Sequence, residues 1–166
     1  MKPVEKMNIT LDLAEEALLK GEMPISACVF MEDHVVARAH TSEKHEGRLL
    51  VHAELKVLQQ TDMLRFNLSD RKKLQLFTSL EPCLMCYGAA MSFYLGEIYY
   101  SLKAPEDGAS DLINFDNFNS DYLRFQKPSM LGGYAIARSK HLFSRYSEIT
   151  QAGPLYDFAC QVIKHN

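Results

Sequence analysis

Two short motifs contain residue types that together could hold and use a metal ion. His52 and Glu54 stand two positions apart in Val-His-Ala-Glu-Leu, and Cys83 and Cys86 occupy Pro-Cys-Leu-Met-Cys further along the chain. One histidine and two cysteines are three ligands for a tetrahedral Zn²⁺, and a zinc ion with three protein ligands keeps its fourth position open for water, as catalytic sites do. We therefore predict one Zn²⁺ per chain, with His52, Cys83 and Cys86 as its ligands.

Glu54 is predicted to be the catalytic residue of this site. It lies two residues beyond the histidine, so it can share the site without being a ligand. Zinc lowers the pKa of a bound water molecule from about 15.7 to about 7, and a carboxylate beside that water can take its proton and pass it on. The pattern His-x-Glu followed by Pro-Cys-x-x-Cys is the known signature of zinc-dependent deaminases of nucleobases, and the chain matches it completely.

The chain resembles the cytidine deaminase-like superfamily and, within it, is most similar to the bacterial tRNA adenosine deaminase and nucleoside deaminase branch. Three stretches carry this resemblance: residues 21–27, 51–55 and 78–90. The resemblance covers about residues 5–103 and thins over 104–166. It implies a single zinc-dependent deaminase domain over residues 1–166, with an α/β fold of three layers, α/β/α, in which helices flank a central mixed sheet. It also implies a homodimer.

Two departures from the tRNA adenosine deaminases concern the substrate rather than the metal. Those enzymes have an asparagine in the loop upstream of the histidine, where it contacts the nucleoside; Thr41 stands at the matching position here. Their Asp-Pro-Thr-Ala before the histidine is replaced by Arg48-Leu49-Leu50-Val51. Neither change touches the predicted ligands. By the resemblance, Thr41 and Ala53 are the predicted substrate-binding residues.

Composition is that of an ordinary globular domain. The chain has 166 residues, of which 47% are hydrophobic and 23% charged, and this length suffices for one domain with its own core. No run approaches the ~20 apolar residues of a membrane span, and residues 1–5 lack the apolar core of a signal peptide, so we expect no membrane and a cytoplasmic location. A net charge of −3 argues against a general grip on nucleic acid, which needs a basic surface.

The four cysteines divide into two kinds. An intracellular Cys-x-x-Cys such as Cys83-Leu-Met-Cys86 is usually a metal or a redox motif. A thioredoxin-like redox pair is the alternative for this motif alone, although it would not explain His52 or Glu54. Cys28 and Cys160 lie in apolar surroundings and are predicted to be small buried hydrophobic residues.

The secondary structure that positions these residues follows from apolar periodicity and turn residues. The predicted elements are a helix over 6–20, a hairpin of strands 25–31 and 34–39, a loop over 40–50, a helix over about 51–62, a strand over 73–79, a helix over 83–93, a strand over 97–101 and a C-terminal amphipathic helix. This order predicts a mixed sheet covered by helices. Both metal motifs then fall in the first turn of a helix, where the partial positive charge favours anions and thiolates.

The C-terminal third is less informative. Residues 103–121 are acidic and predict a long surface loop with one helical turn. Residues 122–147 carry arginines and lysines interleaved with aromatic residues and contain no acidic residue. Such a stretch could stack bases and hold phosphates, but we favour a buried aromatic face with a solvated cationic face. Glu81, just before Pro82, is interpreted as a structural carboxylate, and His40 and His45 are weaker candidates for substrate contact.

These observations predict the hydrolytic removal of an exocyclic amine. The first hypothesis for the substrate is a free nucleobase, a nucleoside or a related small-molecule amino-heterocycle, as the acidic net charge and the missing asparagine indicate. The second is the wobble adenosine of tRNA, converted to inosine, as the similarity of the core motifs indicates. The third is a non-catalytic subunit that zinc stabilises, which the presence of Glu54 makes the weakest of the three.

Overall fold

The core of the protein is a five-stranded mixed sheet with the strand order β2-β1-β3-β4-β5. The computed structural model describes residues 1–112 and 126–166. Its strands are β1 (Ser26–Met31), β2 (His34–His40), β3 (Leu74–Leu80), β4 (Glu97–Leu102) and β5 (Ser129–Leu131). Strand β1 pairs antiparallel with both β2 and β3, whereas β3, β4 and β5 run parallel to one another. The predicted hairpin and mixed sheet are confirmed.

Helices cover both faces of this sheet. They are α1 (Pro3–Leu19), α2 (Glu43–Glu46), α3 (Ala53–Asp62), α4 (Leu68–Arg71), α5 (Leu84–Ser92), α6 (Ala109–Leu112), α7 (Ile136–Ile149) and α8 (Pro154–His165). Helices α1, α7 and α8 share one hydrophobic core with the sheet, and α3 and α5 share the other. The three-layer α/β/α architecture is therefore confirmed.

Strand β1 shows how the sequence builds two cores from one strand. Cys28 and Phe30 belong to the core under α1 and α7, whereas Ala27 and Val29 belong to the core under α3 and α5. Side chains alternate between the two faces of a strand. Because both faces are covered here, residues 27–31 are all apolar rather than alternating with polar residues.

Helix α1 ends as its sequence predicts. Gly21 adopts the left-handed conformation with φ of 76°, which glycine reaches without a steric penalty, and its N–H donates to the carbonyl of Leu18 at 2.9 Å. The helix begins earlier than predicted, because Pro3 occupies its first turn, where a missing N–H costs nothing.

Several boundaries differ from the sequence prediction. The loop predicted over 40–50 contains the short helix α2, and α4, β5 and the 14-residue helix α7 were not predicted. Elements of three or four residues are too short to show an apolar period, so the sequence carries little signal for them. His52 and Cys83 lie at the N-cap positions of α3 and α5 rather than inside the first turns.

The basic and aromatic stretch over 122–147 is described only from residue 126 onward, so Tyr122, Arg124 and Phe125 lie outside the described residues. Residues 113–121 of the predicted acidic loop lie outside them as well. In the described part, Phe143 and Tyr146 are fully buried, which confirms the predicted buried aromatic face. Two arginines of this stretch are paired with α1: Arg138 contacts Asp12 at 2.6 Å and Arg145 contacts Glu15 at 2.6 Å. Within residues 1–112 and 126–166, no helix is long and apolar enough to span a membrane.

Candidate metal and catalytic site

The starts of two helices bring the three predicted ligands together. His52 is the N-cap residue of α3, Cys83 is the N-cap residue of α5, and Cys86 lies in the first turn of α5. His52 Nδ1 lies 3.7 Å from Cys83 Sγ and 3.6 Å from Cys86 Sγ, and one donor atom of each residue lies within 4.8 Å of the others. This group could hold one metal ion.

These separations fit zinc. Typical bonds of about 2.0–2.1 Å to nitrogen and about 2.3 Å to sulfur, set at tetrahedral angles, place a nitrogen and a sulfur ligand roughly 3.5 Å apart. The observed nitrogen–sulfur distances of 3.7 and 3.6 Å are close to that value. A bound Zn²⁺ thus needs no more than small shifts of the three side chains.

The three ligands shift one another's pKa values. Hydrogen bonding with Cys86, reinforced by His52, lowers the pKa of the Cys83 thiol to about 4 despite partial burial. Hydrogen bonding with Cys83, followed by burial, raises the pKa of Cys86 well above its ordinary value. The hydrogen bond to Cys83 also raises the pKa of His52 to about 10. The Cys83 thiolate is the form that binds a cation, and zinc binding displaces protons from the ligands that carry them.

Glu54 lies beside the ligands without joining them. Its side chain is 3% exposed, and its Oε1 accepts a hydrogen bond of 2.8 Å from Thr78 Oγ1. Its Oε2 lies 3.8 Å from Cys86 Sγ. Burial raises the pKa of this carboxyl group above its ordinary value. A buried carboxylate with a raised pKa can both accept and return a proton near neutral pH.

Glu43 is a site residue that sequence reasoning missed. Its Oε1 lies 2.9 Å from His52 Nε2, on the side of the ring opposite the sulfur atoms. The residue sits in α2, inside the segment that was predicted as a loop, and a carboxylate nine positions before a histidine has no recognisable signature. Only the three-dimensional arrangement identifies it.

A cavity of about 230 Å³ opens next to this group. One part of its wall is apolar and comes from several elements, α8 among them: Met23, Ile25, Leu80, Leu155 and Phe158. The other part is polar and contains the site residues together with further carboxylates: Thr41, Glu43, His52, Glu54, Glu81, Cys83 and Asp107. The cavity has room for one heterocyclic ring system beside the metal group.

The remaining predicted residues divide between the cavity and the interior. Thr41 lines the cavity, as expected of a substrate contact. Ala53 is fully buried in the core under α3 and is not among the lining residues, so its role as a substrate contact stays a prediction. Neither His40 nor His45 lines the cavity. His40 instead contacts the carbonyl of Thr41 at 2.6 Å.

Glu81 has the structural role that its sequence position indicated. Its carboxylate accepts hydrogen bonds from the backbone N–H groups of Ala104 at 3.1 Å and Ser110 at 2.9 Å. Gly108 packs directly against it, because a Cβ atom at that position would lie 2.5 Å from Glu81 Oε2. Glu81 thereby fixes the segment 104–110, which places Asp107 at the cavity.

The fold and this site define a zinc-type deaminase. The family model of the cytidine and deoxycytidylate deaminase zinc-binding region matches residues 2–102, and the chain belongs to this family. The confirmed family and the His52, Cys83 and Cys86 group together establish zinc as the cofactor of the domain.

Curated relatives are similar to the chain over about two thirds of its length. The tRNA-specific adenosine deaminase of Bacillus subtilis is 30% identical over 110 residues, which make up 64% of this chain and 68% of that protein. The tRNA(Ile)-lysidine synthase of Deinococcus radiodurans is 35% identical over 114 residues, 64% of this chain but only 19% of that protein.

Solved structures share the fold over most of the chain. One, from work on A-to-I editing by tRNA:A34 deaminases at the wobble position of transfer RNA, has a TM-score of 0.68 at 26% identity and covers 82% of this chain and 96% of its own. The guanine deaminase of Nitrosomonas europaea has a TM-score of 0.66 at 20% identity and covers 88% and 85%. At that identity, the second likeness is one of fold alone.

Proposed function

We propose that the protein is a hydrolytic deaminase of small amino-heterocycles, that is, of a free nucleobase, a nucleoside or a related compound. The observation that carries this proposal is the cavity beside the metal group, which Leu155 and Phe158 of α8 help to enclose within the same chain. In this proposal His52, Cys83 and Cys86 are the zinc ligands, Glu54 is the catalytic residue, and Thr41 contacts the substrate.

Zinc, when bound by the three ligands, supplies a water molecule that is acidic enough to give up its proton near neutral pH. Glu54 takes that proton, and the oxygen forms a bond to the ring carbon that carries the amino group. Glu54 then delivers the proton to the adjacent ring nitrogen. Glu54 then takes the remaining proton from the hydroxyl group that this addition placed on the carbon and passes it to the amine. The carbon–nitrogen bond breaks, ammonia leaves, and the carbon keeps its oxygen as a carbonyl group.

The apolar and the polar lining residues of the cavity make different contributions to substrate binding. Met23, Leu80 and Phe158 offer apolar surface to a flat ring, which gains free energy by leaving water. Thr41, which also lines the cavity, can offer a hydroxyl group to a ring nitrogen or a sugar. Its own Oγ1 lies 3.5 Å from the carbonyl of Val51, a long contact that leaves the hydroxyl available.

Charge around the cavity favours a substrate without a phosphate backbone. Glu43, Glu81 and Asp107 line it together with Glu54, and carboxylates repel phosphates. Arg138 and Arg145, which belong to the basic stretch over 122–147, pair with acidic residues of α1 instead. A nucleic-acid enzyme would rather present cations for the phosphates of its substrate.

The wobble adenosine of tRNA is the second candidate. It is favoured by the similarity to relatives that are themselves tRNA-specific adenosine deaminases, at 30% identity for the one from Bacillus subtilis. The structural likeness to a tRNA:A34 deaminase at 26% identity points the same way. The cavity could take a single flipped adenine, since a base is extruded from its neighbours before such chemistry.

The test is ammonia release by the zinc-loaded protein from amino-purines, amino-pyrimidines and their nucleosides, with tRNA alongside and the Glu54→Ala variant as the blank. Release from a small molecule that is absent in the blank would support the proposal. Release from tRNA alone, falling steeply as salt rises, would replace it with the second candidate. Zinc binding with no release from any substrate would favour the non-catalytic subunit.

Two further properties are proposed on the family resemblance. The chain is proposed to be one domain over residues 1–166 and to form a homodimer. Sedimentation equilibrium of the zinc-loaded protein, repeated over a tenfold range of concentration, would give the mass of the assembly.

A further inference from the structure

We infer that Glu43 is a positioning residue of the metal site and that it acts by fixing the ring of His52. This inference rests on the proposed function only in taking His52 as a zinc ligand. The observation behind it is that the two ring nitrogens of His52 have different partners. Nδ1 lies 3.7 and 3.6 Å from the sulfur atoms of Cys83 and Cys86, and Nε2 lies 2.9 Å from Glu43 Oε1.

A histidine that binds a metal ion through one ring nitrogen needs a different partner for the other nitrogen. A neutral imidazole carries one proton, and the nitrogen that binds metal must be the one without it. With Nδ1 facing the sulfurs, the proton lies on Nε2 and is donated to the carboxylate of Glu43. A carboxylate that accepts from the second nitrogen fixes both the tautomer and the orientation of a metal-binding histidine, and makes that ligand more basic.

Glu43 can do this only if its own backbone is held in place. Helix α2 is a single turn of four residues, too short to be stable by itself. Its backbone is anchored by Glu22, whose side chain is 3% exposed. The Glu22 carboxylate accepts hydrogen bonds from the N–H groups of His45 at 2.6 Å and Lys44 at 3.2 Å. Because these residues directly follow Glu43, the buried carboxylate fixes the place from which Glu43 reaches the ring.

A second anchor joins α2 to the helix that follows His52. Lys56, in α3, donates from Nζ to Ser42 Oγ at 2.8 Å and to the carbonyl of His40 at 3.2 Å. The backbone on both sides of Glu43 is therefore tied to the interior and to α3. The route from Glu22 through α2 to Glu43 and His52 is one connected set of hydrogen bonds that ends at the metal donors.

Glu43 also lines the cavity, so a direct contact with substrate is the competing explanation. The two roles separate in an experiment without substrate. Zinc affinity of the metal-free protein, measured by competition with a chromophoric chelator, reports on positioning alone. The absorption spectrum of the Co²⁺-substituted protein reports on the geometry of the ligands.

Three variants make the test specific. In Glu43→Ala the ring loses its acceptor, and zinc affinity is expected to fall by about 10- to 100-fold, the usual effect of removing such a partner. In Glu43→Gln the amide oxygen can still accept from Nε2, so much of the affinity should return. His45→Ala is the control in the same helix, because His45 anchors α2 only through its backbone N–H, which the substitution keeps, and its side chain contacts no ligand. Its zinc affinity should equal that of the native protein.

Native zinc affinity and an unchanged Co²⁺ spectrum in Glu43→Ala would overturn the inference. An equal loss in His45→Ala would overturn it too, because any side-chain change in α2 would then have the same effect. A His52→Ala protein that binds zinc as tightly as the native protein would refute a different claim, the assignment of the ligand, and with it the proposed function.

Discussion

Thr78 Oγ1 donates a hydrogen bond of 2.8 Å to Glu54 Oε1, and both side chains are buried. Thr78 lies on β3, the central strand that runs toward Cys83, whereas Glu54 lies in the first turn of α3. The bond therefore connects the sheet to the catalytic helix at the carboxyl group that must move protons. Because it favours the charged form of the carboxyl group, it opposes the effect of burial on the Glu54 pKa.

Thr78→Val should lower kcat/KM by roughly 10- to 100-fold, the equivalent of the ~1.5–3 kcal/mol of a hydrogen bond to a charged group. Loss of the donor raises the Glu54 pKa further, so the acid limb of the pH profile of kcat/KM should move to higher pH. The control is Thr61→Val, which removes a buried hydroxyl of α3 that contacts only the Val57 carbonyl. Equal effects of the two substitutions would show that the bond to Glu54 has no special role.

Glu54→Gln should keep its zinc and lose turnover by at least about 10²–10⁴-fold, the usual contribution of a positioned acid/base group. The amide has nearly the same shape but cannot take a proton. Since burial opposes a charge at this position, the variant should unfold at the same or a higher temperature than the native protein. Turnover near the native rate with a full complement of zinc would remove Glu54 from the mechanism.

The three metal ligands could be identified from the sequence alone, because each belongs to a motif whose residue types are hard to replace. His52, Cys83 and Cys86 were assigned from type and spacing, and the structure places their donor atoms together. Glu43 could not be found in this way, since its role depends on the path of a loop that leaves no apolar period. The same reason explains the missed element α2, which is held in place by the distant Glu22 and Lys56.

Most of the larger elements were predictable for the opposite reason, although the 14-residue helix α7 was not predicted. Helix α1 and the hairpin of β1 and β2 show apolar periodicity over many residues. Such a pattern remains detectable even when one residue departs from it. The C-terminal helix was recognised by the same criterion, but its position over the cavity was not, because no local pattern states which elements meet across the fold. Leu155 and Phe158 became candidate substrate contacts only in the structure.

Removal of zinc should make the cysteines differ sharply in reactivity. In the metal-free protein the pKa of Cys83 is about 4, chiefly through hydrogen bonding with Cys86, so its thiolate is present at pH 7 and should react with iodoacetamide. Burial raises the pKa of Cys28 to about 11, so this thiol should react only after unfolding. Peptide mass spectrometry after brief alkylation, with and without added zinc, measures both. Zinc should protect Cys83, and equal labelling in both samples would count against its being a ligand.

Gly108→Ala should destabilise the protein by about 1–3 kcal/mol, the usual cost of an inserted methyl group in a packed region. The new Cβ would lie 2.5 Å from Glu81 Oε2, and Glu81 cannot move away without losing its two backbone donors. Gly88→Ala is the matched comparison, because nothing lies within 4 Å of its Cβ in α5. That change should stabilise the helix by about 0.5–1 kcal/mol. Urea unfolding gives both values, and a neutral Gly108→Ala would mean that the 104–110 segment is not fixed by Glu81.

Leu155→Ala distinguishes the two substrate classes through the cavity wall. Leu155 lines the cavity but is 41% exposed, so its truncation should cost little stability while it removes apolar contact with a bound ring. A loss of about 1 kcal/mol of binding corresponds to a KM for the small substrate about fivefold higher, with kcat nearly unchanged because an apolar side chain takes no part in the proton transfers. Ile149→Ala, at a residue that is 63% exposed and away from the cavity, should change neither constant. A KM that rises for tRNA but not for any small substrate would mean that α8 contacts a polynucleotide. If the cavity bound a small substrate, the loss of a lining side chain would weaken that binding.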